Sequence, residues 1–345
     1  MITQKDMARK LGISRSLVSR ALTGTAADIG ASEETVLKIR RMAEKCGYVQ
    51  NAAALSLRGD SSMTVGVAVK DFTDPFFGKM IGEIQSLGRE RGFSLLLTGY
   101  SEGGNPQVDI NSLLRYHPDA LIICGSHVDL YWLKSFIAKG IPAVQIGAGK
   151  TYAGLSRVEM DEEYGMSLLL NHLKSLGHRE IGFIGTDSEP SLNRKRILAK
   201  FATRMGISLK LSNSISVKDQ ADAGFNAMEF LLQRAGKNLP SAVVAADDFT
   251  AQGALKALHE DGLSVPKDIS LTGVDDIPAA SLTIPALTTI RSPITEMVQA
   301  AFSLAVDKAA NTRKPKSLKL KPELIIRAST VKNNHVNPVI LSKIL

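Results

Sequence analysis

The sequence predicts a small all-α head followed by an α/β body made of two doubly wound parallel-sheet subdomains. Three observations carry this. Two short amphipathic helices flank a glycine turn near the start, short apolar runs alternate with helical patterns from residue 63 onward, and 345 residues suffice for a head and two lobes.

In "ITQKDMARKLGISRSLVSRALTG" the apolar positions fall at helical spacing in two pieces broken by "LGIS". Met7, Ala8 and Leu11 form one stripe, and Leu17, Val18, Ala21 and Leu22 form the second. Gly12 permits a sharp turn and Ser14 caps the second helix. This is a helix-turn-helix, whose second helix enters the major groove of DNA with its N-terminal residues at the base edges. Arg15, Ser16, Ser19 and Arg20 face away from the apolar stripe. Arg matches guanine with two hydrogen bonds, and Ser serves base or phosphate. A third helix, "SEETVLKIRRMAEKCGY", opens on Ser32 and closes the core with Val36, Ile39 and Ala43.

The charge division agrees. Residues 1–59 hold ten Lys/Arg against five Asp/Glu, residues 60–312 hold 24 against 28, and residues 313–345 hold eight against one. A basic head on a mildly acidic body points to a polyanion bound by the head. Composition is otherwise that of a globular protein, with 44% hydrophobic and 22% charged residues. No apolar run approaches the ~18 residues of a membrane span, and "MITQKDMARK" lacks the apolar stretch of a secretion signal, so a cytoplasmic protein is expected. Cys46 and Cys124 read as separate buried thiols.

Between head and body lies "NAAALSLRG" (51–59), rich in helix formers yet only about two turns long, short of the roughly 12 to 15 residues at which an isolated helix holds. Such a segment orders only with a partner. In the body, strands are expected at 64–69, 94–98, 120–124, 143–147, 181–185, 242–246 and 269–273. Strand and helix in alternation give parallel sheets covered on both faces, whose ligands bind beyond the carboxyl ends of the strands.

The run from "DMARKLGISRSLVSRALTG" through "GYVQNAAALSLRG" resembles the DNA-binding head and hinge of the LacI/GalR family of bacterial transcription regulators. The resemblance continues through "VGVAVKDFTDPFFGKMIGEI", "NHLKSLGHREIGFIG", "AADDFTAQGALKAL" and "ISLTGVDD...PALTTIRSP", covering nearly the whole chain. It implies a head at 1–49, a hinge helix and linker at 50–61, and a sensor body of periplasmic-binding-protein type. The body's first subdomain would hold 62–157 and 290–317, and its second 158–289 and 318–332, with a tail at 333–345. The chain would cross between lobes near 157, 289 and 318.

Residue by residue, the resemblance implies DNA contacts from Thr3, Ser14, Arg15, Ser16, Ser19 and Arg20 in the head. In the hinge it implies Asn51, Ala54 facing the partner hinge, Leu57 wedged into the minor groove, and Arg58 near the backbone. For the effector it implies Phe76 and Phe77 of "DPFF", Asp247, and Asp275 of "GVDD". The family's cleft arginine falls within "NRKRILAKF", where Arg194 and Arg196 both qualify, with Arg194 the first choice. Asp247 stands where many relatives carry Asn, and Gly147 where sugar-binding relatives often carry Asp.

Other chemistry is excluded by spacing. "GAGKT" (147–151) lacks the phosphate loop's first glycine, a position held by Val144, and Tyr152 occupies the third glycine of a dinucleotide fingerprint. The six His are not at metal-ligand spacing, and no G-x-S-x-G elbow is present. The expectation is a homodimeric repressor controlled by a small polar effector, a sugar or similar metabolite, with no enzyme activity, no metal and no cofactor. The alternative is a small-molecule binding protein without a DNA-binding role, which would have no use for the basic head. The tail "NHVNPVILSKIL" is too short for a sustained coiled coil.

Overall fold

The computed structural model describes residues 2–23, 30–48, 61–100, 112–128, 130–150, 152–236, 238–307 and 315–333. The chain divides into two compact units, residues 1–62 and 63–345.

The first unit contains helices α1 (Gln4–Leu11), α2 (Arg15–Thr23) and α3 (Glu33–Lys45). Thr3 opens α1 with a capping box. Its Oγ1 accepts from Asp6 N–H at 3.2 Å while its own N–H donates to the Asp6 carboxylate at 3.0 Å, so two end donors are satisfied. Gly12 ends α1 in the left-handed region at φ +66, which turns the chain into α2. Ser14 Oγ then accepts from Leu17 N–H at 3.1 Å. Met7, Ala8, Val18, Ala21, Ile39 and Ala43 are buried together, with Leu11, Leu17, Leu22 and Val36 packed against them. Cys46 is only half-buried at the end of α3, whereas Cys124 is fully buried, and both are free thiols.

The second unit holds two six-stranded sheets. The first orders its strands β11 (Ser317–Leu320), β5 (Leu155–Met160), β4 (Ala143–Ile146), β3 (Ala120–Cys124), β1 (Thr64–Val69), β2 (Ser94–Gly99), all parallel. The second runs β12 (Glu323–Ile325), β10 (Thr288–Arg291), β9 (Ser270–Asp275), β8 (Ala242–Ala245), β6 (Glu180–Thr186), β7 (Ser208–Val217), parallel except for β12. Helices α4 (Pro75–Glu90), α5 (Leu130–Ala138) and α10 (Ile294–Val306) cover the first sheet. Helices α6 (Glu162–Ser175), α7 (Glu189–Met205), α8 (Ala223–Ala235) and α9 (Asp248–Glu260) belong to the second.

The chain passes between sheets three times, each a few residues beyond the expected point. Strand β5 stays paired with β4 and β11 as far as Met160 rather than 157, β10 stays in the second sheet to Arg291 rather than 289, and β11 holds the first sheet to Leu320 rather than 318. Ladder hydrogen bonds carry each strand up to its crossing. Central strands β1, β3, β4 and β8 are buried at every position, as parallel strands between two helix layers must be. Strand β7 was not expected, because its exposed, polar-rich "SLKLSNSISV" carries no apolar run, and it meets β6 through a register shift. Strands β5, β10, β11 and β12 escaped notice for related reasons, being short or mixed in polarity.

Candidate functional site

In the head, Arg15, Ser16 and Arg20 are exposed on α2, as is Ser14 just before it, and Ser19 is half-buried rather than fully outward. The Thr3 and Ser14 side chains are engaged in helix caps. Asn51, Ala54, Leu57 and Arg58 lie outside the described residues.

In the body a cleft of about 390 Å³ opens between the two sheets. Its walls are strand ends: Lys70 follows β1, Gly125 follows β3, Gly147 follows β4, Thr186 ends β6, Asp275 ends β9 and Ser292 follows β10. Parallel strands leave their carboxyl ends on one edge, so residues remote in sequence converge there.

At the floor, Arg194 on α7 is 9% exposed. Its Nε donates to both Glu162 oxygens at 3.1 Å, one terminal nitrogen donates to the Ala246 carbonyl at 2.8 Å, and the other to Asp275 Oδ1 at 3.1 Å. Burial opposes the guanidinium charge, but the carboxylates of Asp275 and Glu162 outweigh it and hold Arg194 charged. Ser292 Oγ donates to Asp275 Oδ1 at 2.9 Å. Asp275 sits at φ +106 and Asp276 at φ +52, conformations that cost a non-glycine residue about 1–3 kcal/mol each. Asp276 is held by Arg291 at 2.7 Å and Arg327 at 2.5 Å, so ion pairs on both aspartates offset the strain.

Arg196 does not reach the cleft. It is exposed and donates to Asn193 at 2.5 Å, because two residues along a helix turn a side chain about 200° away. Phe76 and Phe77 line the cleft edge to face, centroids 5.3 Å apart, with Phe77 buried and Phe76 packed against both lobes' cores. Asp247 and Asp275 also line it.

Asp74 and Asp247 cap helices of opposite lobes. Asp74 Oδ1 accepts from Phe76 N–H at 2.9 Å at the start of α4, and Asp247 Oδ1 accepts from Thr250 N–H at 2.7 Å at the start of α9. Burial pushes the Asp74 carboxyl up to about 6, with the charges of Asp275, Asp247 and Asp71 adding to the rise. Burial likewise raises Asp247, helped by Asp275. Lys70 of the first lobe bridges the cleft to Asp219 of the second at 3.4 Å.

Sequence reasoning missed Asp74, Glu162, Lys70, Ser292 and the exposed Phe249, all of which line the cleft. Asp74 was detectable, since "DPFF" is an aspartate cap before a proline at the first helical turn. Glu162 offered no signal within "MDEEYG". At Gly147 the backbone is at φ +136, a conformation L side chains rarely adopt, and a Cβ would lie 3.0 Å from the Gly125 carbonyl oxygen, so Asp there would be strained. Among the described residues no His/Cys/Asp/Glu group could hold a metal, and no helix is long and apolar enough to cross a membrane.

Comparison with known proteins places this arrangement. A periplasmic binding protein-like domain matches residues 170–330. The transcriptional regulator GalR of Escherichia coli K12 is 30% identical over 336 residues, 96% of each chain. The crystal structure of the lac repressor dimer bound to operator and the anti-inducer ONPF is 25% identical, covers 96% of this chain and 99% of its own, and superposes with a TM-score of 0.79. The transcriptional regulator CelR in complex with cellobiose is 26% identical over 95% of this chain and 100% of its own, TM-score 0.69. With a helix-turn-helix head, a two-lobed body and full-length similarity to regulators rather than enzymes, this chain belongs to the LacI/GalR family of DNA-binding transcription regulators.

Proposed function

We propose that this chain is a cytoplasmic homodimeric repressor whose operator affinity is set by a small polar effector bound between Asp74, Asp247 and the Glu162–Arg194–Asp275 array. The observation that carries the reading is the pairing, in one chain, of an exposed N-terminal face on α2 with a cleft of mixed aromatic and charged lining sized for a sugar or similar metabolite. Arg15 and Ser16 read bases, Arg20 and Ser19 support them, and Thr3 and Ser14 fix the helices they cap. Phe76 and Phe77 close on the effector from the first lobe. The operator-bound lac repressor and the cellobiose-bound CelR support DNA and a sugar-class ligand as partners.

Self-association is supported by Leu282 and Ile284, two apolar side chains 79% and 96% exposed on one loop. Two copies on DNA would order the hinge, with Asn51 contacting DNA, Arg58 near its backbone, Ala54 against its counterpart and Leu57 as the wedge. The test is thermal-shift screening of the intact chain against sugars, sugar derivatives and nucleosides, followed by binding to DNA selected from a random pool. A ligand that stabilises the protein and shifts its DNA affinity is the expected result. Ile284→Asp should yield a monomer by sedimentation, and a persistent dimer would move the interface elsewhere.

A further inference from the structure

The cleft brings together more carboxyl groups than cations. Six carboxylates line it against two cations, Lys70 and Arg194. Both cations are engaged, Arg194 between Glu162 and Asp275 and Lys70 with Asp219. Among the described residues, Asp71, Asp74 and Asp247 have no cation partner within ion-pair distance. Asp71 accepts from Thr73 N–H and Oγ1–H, both at 2.7 Å. Asp74 accepts a helix-cap bond through Oδ1 from Phe76 N–H, and Asp247 caps its helix through Thr250, so both carboxyls are anchored by helix N-termini rather than by a cation.

We propose that the effector carries a protonated amine, held between Asp74 of the first lobe and Asp247 of the second. The proposal rests on the reading of this cleft as the effector site. The two carboxylates face one cavity from opposite lobes, and the charge of Asp247 is among the causes that lift the Asp74 carboxyl. A cation between them turns that repulsion into attraction to both lobes. Charge-assisted hydrogen bonds are about twice as strong as neutral ones, so an uncharged hydroxyl at the same place gains less. A phosphate or carboxylate there meets repulsion from Asp71, Asp74 and Asp247. The helix starts at α4 and α9, which would otherwise favour an anion, already hold their capping aspartates.

Matched ligand sets test this on the intact chain by calorimetry and thermal shift: glucosamine, glucose and glucose 6-phosphate; galactosamine, galactose and galacturonate; and the open-chain amines agmatine and spermidine. At least one amine is expected to bind tenfold or more tighter than its uncharged and anionic counterparts, and Asp74→Asn or Asp247→Asn should abolish that preference. Asn caps helices about as well as Asp, so both variants should melt like the parent. The proposal is overturned if an uncharged or anionic member binds as tightly, if the preference survives both substitutions, or if no amine binds. DNA selected from a random pool separates this from the regulatory reading. An amine that binds without changing DNA affinity removes the effector role and leaves the cation site standing. A neutral sugar that binds and changes DNA affinity keeps the regulatory role and overturns the cation site.

Discussion

The helical head and the two-lobed body present their arginines in opposite ways. In the head, Arg15 and Arg20 stand exposed around a core of six buried side chains. In the body, Arg194 is 9% exposed and carries ligands on three sides. A charge left in water costs the fold little and reaches a polyanion through a field that salt screens. A charge in a cleft must be neutralised by the chain's own carboxylates, and so becomes part of the fold.

The sharpest break of this contrast is Arg194→Ala. It strands Glu162 and Asp275 as unpaired buried carboxylates, and removal of one partner from such an array costs about 3–5 kcal/mol. Urea unfolding of the body should show that loss, and stability within 1 kcal/mol of the parent, a value expected for surface sites, would make Arg194 as dispensable to the fold as Arg15.

A second test uses pH. Burial pushes Asp248 up to about 8, where its Oδ2 accepts from Ile277 N–H at 2.9 Å and its Oδ1 from Thr289 Oγ1–H at 2.5 Å. The folded value lies above the unfolded one. The group's stabilisation is therefore fully present below about 4 and is lost as pH rises through about 8. The melting temperature of Asp248→Asn relative to the parent should climb across that window and then level off. A constant difference would mean that the buried carboxyl does not titrate there.

Head substitutions should act on binding rather than folding. Arg15→Ala should cost about 1–3 kcal/mol on the selected operator and much less on random DNA. Equal losses on both would assign Arg15 to phosphate. The parent's affinity for DNA should fall with salt at a log-log slope on the order of −5 to −10. The smallest effect is Ser14→Ala, which removes the α2 cap and should loosen the head by about 1 kcal/mol, read from amide exchange in α2.

The head was legible almost residue by residue because its helices are amphipathic, its turn is a glycine and its caps are local. The body's central strands were legible as apolar runs, while edge strand β7 was not, since an exposed strand needs no such run. The choice between Arg194 and Arg196 could not be made from spacing. Both sit on one helix, and only the packing of α7 against its sheet decides which of the two turns inward.

By itself the sequence determined the two classes of architecture, the basic head, the helix-turn-helix face and the family. The architecture, the basic head and the helix-turn-helix face rest on periodicity, capping and composition, which act over a few residues, whereas the family rests on the resemblance of ordered motifs along nearly the whole chain. Tertiary structure alone decided that Glu162, Arg194 and Asp275 form one array, that Lys70 reaches Asp219, and that Asp74 and Asp247 share a cavity. Parallel sheets bring strand ends together through crossovers far apart in sequence, and the electrostatic cost of burying a charge then selects which of the assembled groups pair and which remain for a ligand.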